Sequence, residues 1–284
     1  MMIRTYYLLT KPGIIFGNLI TTVAGFCLAS KGHFDPWLFL AVFSGLGLVI
    51  ASACVFNNYV DRDLDKKMAR TKKRPLAMGL ITGKHALIFA SLIGFLGLAI
   101  LSLYTNPLSA AIATLGFFIY VILYSLWKTE TTYATLVGSI SGALPPVIGY
   151  TAVANQIDVG ALLLFLILVL WQMPHFFSIA LFRLDDYKAA EVPVLPVKRG
   201  SYTTKVRMVL YITAFIVATI LLAVFGYGGI AYLLVSLPLG IAWLALSLKG
   251  FDAENDQVWA KQMFRLSLVV ITAISILLSI NGMR

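Results

Sequence analysis

The chain has 284 residues, 60% of them hydrophobic and only 12% charged, and carries a formal net charge of +10. Soluble domains are about 45–50% apolar even with Gly counted and about 25% charged, so a water-exposed globule is excluded. The positive charge reads as basic loops that set membrane topology and meet anionic lipid, with no nucleic acid as partner.

A membrane-spanning helix needs about 20 mostly apolar residues. Such windows run, in chain order, over 14–30, 38–58, 85–104, 108–127, 133–153, 160–182, 208–226, 229–248 and 264–281. The first ends in Cys27-Leu28-Ala29-Ser30 and is read as a retained span, since further spans follow it. Between windows lie turn-forming pairs such as Lys31-Gly32 and Asn106-Pro107, and the short connections require antiparallel neighbours. The two cysteines, Cys27 and Cys54, sit in apolar runs and build no disulfide framework.

With the N-terminus in the cytoplasm, only Lys31 and Arg284 of the 22 basic residues fall outside. That is a strong positive-inside bias, and an even number of spans would scramble it. The expectation is an all-α membrane protein: nine transmembrane helices in a single bundle, N-terminus cytoplasmic and C-terminus outside. Residues 1–284 form one domain, with polar catalytic loops at about 59–84 and 183–207. These loops follow spans two and six, as a duplicated four-helix unit would place them.

Six of the 12 acidic residues gather in those loops: Asp61, Asp63, Asp65, Asp185, Asp186 and Glu191. The positive-inside rule accounts for basic residues there but not for acids. Asn57, Asp61 and Asp65 recur every four residues, so on a helix they form one stripe rising about 6 Å per step. Like charges at that spacing repel unless something neutralises them. Oxygen ligands in a line suit a hard cation such as Mg²⁺, which takes one or two carboxylates and completes its shell with substrate phosphate. Asp63 points elsewhere and is expected in solvent. Arg62, Arg70, Lys72 and Arg74 lie close by and could hold a diphosphate. The second cluster, Arg183 to Lys188, is expected to face the first across the bundle.

This pattern resembles the N-x-x-x-D-x-x-x-D motif of the intramembrane aromatic prenyltransferase superfamily, and the resemblance covers nearly the whole chain. Its specific parts are Thr10-Lys11-Pro12-Gly13, the stripe running on to Arg74, and Gly142-Ala143-Leu144-Pro145-Pro146. Further on come Trp171-Gln172-Met173-Pro174-His175, and Asp186-Tyr187 ahead of Val194-Leu195-Pro196-Val197. The last three segments resemble those of the haem-prenylating branch. The chain departs from the family in two places. Asp185 and Asp186 are adjacent where D-x-x-x-D is usual, and the Tyr124-to-Lys128 motif continues with Thr129-Glu130 where relatives carry Arg.

The resemblance implies a Mg²⁺-dependent prenyltransferase of the bacterial inner membrane. It would use farnesyl diphosphate and haem B, and contacts with a haem-copper oxidase or a haem A synthase would be its outlets. Metal falls to Asn57, Asp61, Asp65, Asp185 and Asp186, with Asp186 favoured over Asp185. Catalytic roles fall to Asp61, Asp65, Lys128 and His175. Substrate binding falls to Lys11, Arg62, Arg70, Lys72, Arg74, Tyr124, Arg183, Tyr187 and Lys198. Aromatic faces can shelter an allylic cation, with Phe56, Tyr59, Tyr124, Phe176 and Tyr187 as candidates.

His175 stands inside the sixth window, and intramembrane ionisable groups are functional by default. It could ligate haem iron, act as a base, or sit at the membrane–water boundary bonded to the carbonyl that Pro174 frees. Three other readings compete. A transporter would carry charge at mid-membrane, and these spans are almost free of it. A non-catalytic haem carrier would leave the Asp stripe without a purpose. A prenyltransferase for another aromatic acceptor, such as 4-hydroxybenzoate, would share the diphosphate motifs.

Overall fold

The computed structural model describes residues 2–282, so Arg284, expected outside the membrane, lies beyond the described residues. Among them there is no strand, and nine helices are long and apolar enough to cross a membrane. A short helix α1 (Met2–Leu9) precedes α2 (Pro12–Ser30) and α3 (Pro36–Val60). The first polar loop begins with α4 (Arg62–Lys67), and α5 (Gly83–Tyr104) follows it. The fourth span is composite: α6 (Pro107–Phe118), a π-helical turn over Ile119–Tyr124, and α7 (Ser125–Trp127). The fifth is broken into α8 (Ala134–Gly142) and α9 (Leu144–Ala154). After α10 (Val159–Phe182) the second polar loop carries α11 (Leu184–Ala189). The bundle closes with α12 (Leu195–Val224), α13 (Ile230–Lys249) and α14 (Asp256–Gly282).

Sequence chemistry explains the breaks. Pro12, Pro36 and Pro107 each stand at a helix start, where the missing N–H costs nothing. Pro145 and Pro146 restart the fifth span after Ala143, since neither ring tolerates a helix interior. Asp35, Thr82, Asn106 and Asp158 cap their helices through side-chain oxygens. The last span begins two turns before the window at 264, and α12 begins well before 208. Hydropathy stops at charged residues such as Lys205, Arg207 and Lys261, whereas helical hydrogen bonding runs on past them. Gly200, at φ 79°, kinks the start of α12 in a region only glycine enters freely.

In lipid, apolar side chains gain little by leaving their surroundings, so close packing has to hold the helices together. The α2–α9 contact depends on it. A Cβ at Gly25 would lie 2.0 Å from the Pro146 carbonyl oxygen, and one at Gly149 would lie 2.2 Å from that of Thr22. Gly149→Val is therefore expected to separate two backbones that touch, at a cost of about 2–3 kcal/mol. A fall in thermal midpoint of several degrees in detergent checks this, with Ala231→Val, at an exposed position on α13, as the comparison.

Candidate active site

One cavity of about 720 Å³ opens among the helices, within the roughly 300–1,000 Å³ common for ligand sites. Its polar mouth is built on the acidic stripe. Although α3 ends at Val60, the Asp61 amide donates to the Asn57 carbonyl at 2.9 Å and the Asp65 amide to the Asp61 carbonyl at 2.7 Å. The helical repeat thus continues through the junction, and Asn57, Asp61 and Asp65 all line the cavity while buried to 4% exposure or less.

Buried carboxylates require partners, and each member of the stripe is met by a cation from a different element. Lys11 Nζ donates to Asn57 Oδ1 at 2.7 Å, from a left-handed residue (φ 52°) fixed just ahead of Pro12. Lys128 Nζ donates to Asp61 Oδ2 at 2.5 Å. Arg74 Nη1 donates to both oxygens of Asp65, at 2.9 and 2.8 Å. Burial pulls the Lys11 ammonium down to about 8. Burial also disfavours the charge on Lys128, but Tyr124 and Asp61 outweigh it and raise that group above the ordinary lysine value. Arg70 adds a further positive group to the lining.

The π-helical turn serves the same wall. Tyr120 and Tyr124 stack at 5.3 Å with an interplanar angle of 12°, and with Lys128 they line the cavity at four-residue intervals. π turns cluster at functional positions because they re-aim side chains without ending the helix. Tyr120 and Gln172 are among the wall residues to which sequence reasoning gave no role. The repeat Tyr120–Tyr124–Lys128 was the available signal for the first. Gln172 Nε2 reaches the Ser139 carbonyl at 3.2 Å, and its Oε1 would sit 2.2 Å from a Cβ at Gly142.

The second loop contributes differently from the first. Tyr187 lines the cavity with Val192, Pro193 and Val194. Asp186 Oδ1 instead accepts from the Ala69 backbone N–H at 3.1 Å, and the exposed Asp185 lies 3.4 Å from Gln257 Nε2. Neither acid lines the cavity, because adjacent residues on α11 point about 100° apart and Tyr187 takes the inward direction. An apolar contact among Met68, Ala190 and Val192 seals the two loops together. Arg62 lies over the Tyr59 ring at 4.3 Å, Arg183 over that of Phe182 at 5.3 Å, and Lys72 and Lys198 are exposed. None of these four lines the cavity, nor do Phe56 and Tyr59, whereas Phe176 does. Asp63 is in solvent, 70% exposed and paired with Lys66.

Among the described residues no three Asp, Glu, His or Cys side chains converge as a closed metal cage. The stripe nonetheless fits a hard cation that brings phosphate with it: two buried carboxylates and an amide oxygen face one cavity, ringed by cations that phosphate could engage.

The same cavity is lined by His175, 9% exposed. Its ring stacks on Trp171 (4.7 Å, 24°) and lies against Phe264 (4.9 Å, 32°). Its Nδ1 is 2.7 Å from Ser267 Oγ on α14, so the ring is tied across the bundle and not to its own helix. Trp171 Nε1 donates to the Ser267 carbonyl at 2.8 Å.

The sequence profile of the UbiA prenyltransferase family matches residues 18–269. The chain belongs to this family. Three bacterial relatives carry the name protoheme IX farnesyltransferase. That of Protochlamydia amoebophila is 52% identical over 97% of this chain and 97% of its own length. Those of Yersinia enterocolitica and Edwardsiella ictaluri are 53% identical, each over 99% of this chain and 95% of its own. Among solved structures, a digeranylgeranylglyceryl phosphate synthase superposes with a TM-score of 0.82 at 19% identity, over 99% of this chain and 98% of that one. A UbiA homologue from Archaeoglobus fulgidus bound to GPP and Mg²⁺ gives 0.70 at 16% identity, over 97% and 99%. These likenesses establish the all-helical intramembrane prenyltransferase fold, and the chain is a prenyltransferase of UbiA type.

Proposed function

We propose that this UbiA-family enzyme transfers farnesyl from farnesyl diphosphate to a vinyl group of protohaem IX, with addition of water, giving haem O. The observation that carries the reading is one cavity lined both by a cation-ringed acidic stripe and by an apolar, aromatic wall with one histidine. The stripe suits a diphosphate, and the apolar wall a large planar amphiphile. Relatives above 50% identical that bear the protoheme IX farnesyltransferase name support the acceptor.

In this reaction the allylic C–O bond of the donor breaks and diphosphate leaves with the electron pair. The vinyl carbon then bonds to the farnesyl C1, and water adds to the neighbouring carbon and loses a proton. Mg²⁺ would be held by Asn57, Asp61 and Asp65, and when bound would neutralise the departing phosphate charge. Asp186, which ties down the loop carrying Arg70 and Arg74, keeps its second oxygen for a cation. Lys11, Arg70, Arg74 and Lys128 are preset donors for phosphate oxygens in a site of low dielectric, where each contributes more than it would in water. Arg62, Lys72, Arg183 and Lys198 would meet the donor on its approach, from outside the cavity. Tyr124, Phe176 and Tyr187 offer ring faces to the allylic cation and exclude water from it. His175 serves the acceptor, through haem iron or as the base that takes the proton from the added water.

The deciding test incubates purified protein in lipid with haem B, farnesyl diphosphate and Mg²⁺, with EDTA in parallel, and weighs the haem by mass spectrometry. A metal-dependent gain of farnesyl plus water is expected. Unchanged haem, with farnesyl transferred to another aromatic acceptor and diphosphate released, would overturn the acceptor assignment and keep the donor site.

The same reading places the enzyme in the bacterial inner membrane with its polar loops in the cytoplasm, where the basic residues gather. A reporter fused after Arg284 is expected to be active only on the outer side. A cytoplasmic signal would reverse the orientation.

A further inference from the structure

Both roles open to His175, ligand or base, need the same thing: an unprotonated ring nitrogen directed at the acceptor. We infer that Ser267 is the positioning residue that supplies it, by holding His175 as the Nδ1–H tautomer with the Nε2 lone pair facing the cavity. This rests on the acceptor-side reading of His175 given above.

The argument is one of counting protons. Ser267 Oγ lies 2.6 Å from the Phe264 carbonyl oxygen one turn earlier, and 2.7 Å from His175 Nδ1. A serine hydroxyl has one proton. The carbonyl can only accept, so the proton must go there; otherwise two oxygen lone pairs would face each other at 2.6 Å. Ser267 Oγ is then an acceptor toward the ring, and Nδ1 must carry the hydrogen. A neutral imidazole has only one N–H, so Nε2 is left with its lone pair.

The surroundings keep that nitrogen free and aimed. Nε2 has no hydrogen-bond partner among the described residues, yet it is not among the sealed polar atoms of the interior, and His175 lines the cavity. Trp171 and Phe264 bracket the ring, and Trp171 is itself tied to the Ser267 carbonyl, so the imidazole cannot turn over without breaking the group. Ser267 lies off the cavity wall and acts only through the histidine. The logic is that of outer partners which fix the ring orientation of histidine ligands, whose loss costs about 10–100-fold.

The full chain has three histidines, so histidine-labelled protein in lipid nanodiscs gives a readable ¹⁵N spectrum, with His175 assigned by its loss in His175→Ala. Wild-type protein is expected to show protonated Nδ1 at His175. Ser267→Ala should populate the Nε2–H form and slow haem farnesylation at least tenfold with the donor KM unmoved. Ser267→Thr, which keeps the hydroxyl, should restore both. A wild-type Nε2–H tautomer, or a Ser267→Ala protein unchanged in tautomer and rate, would overturn the assignment of Ser267. A tautomer that switches while haem turnover stays at the wild-type level would instead overturn the acceptor-side role of His175, and this inference with it.

Discussion

Asp61→Ala is expected to lower turnover by about a thousandfold or more and to erase its dependence on Mg²⁺, without unfolding the protein. Single preorganised electrostatic groups at a developing charge contribute about 10²–10³. Asp61 serves in two ways, as the middle oxygen donor of the stripe and as the partner of Lys128 Nζ at 2.5 Å. Removing it leaves a buried ammonium without its counter-ion, so Lys128 would turn toward donor phosphate or lose its proton. Asp61→Asn separates the two parts, since it keeps the volume and one oxygen but not the charge. Rates of haem farnesylation measured across a Mg²⁺ titration give the answer. Wild-type activity in Asp61→Ala at any metal concentration would remove the stripe from the chemistry.

The stripe was legible in the sequence because helical periodicity is local: three residues at four-residue intervals share a face whatever packs against them. The nine spans were legible for a similar reason, since lipid forces long apolar runs and leaves charge to the loops. What could not be read was which side of α11 looks inward. Tyr187, Asp186 and Asp185 are consecutive, and only the docking of the two loops through Met68, Ala190 and Val192 decides that the tyrosine lines the cavity. Arg62 and Lys72 lie close to the stripe in sequence, yet neither lines the cavity: Arg62 lies over the Tyr59 ring from the start of α4, and Lys72 is exposed in the turn that follows that helix. The Ser267 contact joins residues 92 positions apart, and no local pattern foretells it.

His175→Ala is expected to reduce kcat/KM for haem by about a hundredfold or more, the contribution typical of a positioned acid–base group, while leaving the KM for farnesyl diphosphate unchanged. Alanine alone cannot separate chemistry from packing, because the imidazole also fills the space between Trp171 and Phe264 at centroid distances of 4.7 and 4.9 Å. Truncating a buried aromatic ring there would loosen α10 against α14 and could move the whole chamber. His175→Phe keeps the stack and removes both nitrogens, so it isolates what the nitrogens do. If the phenylalanine variant is as slow with haem as the alanine variant, while melting like wild type and holding donor normally, the ring contributes through its lone pair. If it turns over haem at the wild-type rate, the histidine is an aromatic spacer, and the proton from the added water must go directly to solvent or to diphosphate. The cavity lining favours the first outcome. Apart from His175, the residues that α10 and α14 present to the cavity are Leu, Ile, Phe, Trp, Ala and Thr, with Gln172 engaged at Ser139 and Leu168, so the imidazole is the one basic nitrogen they offer.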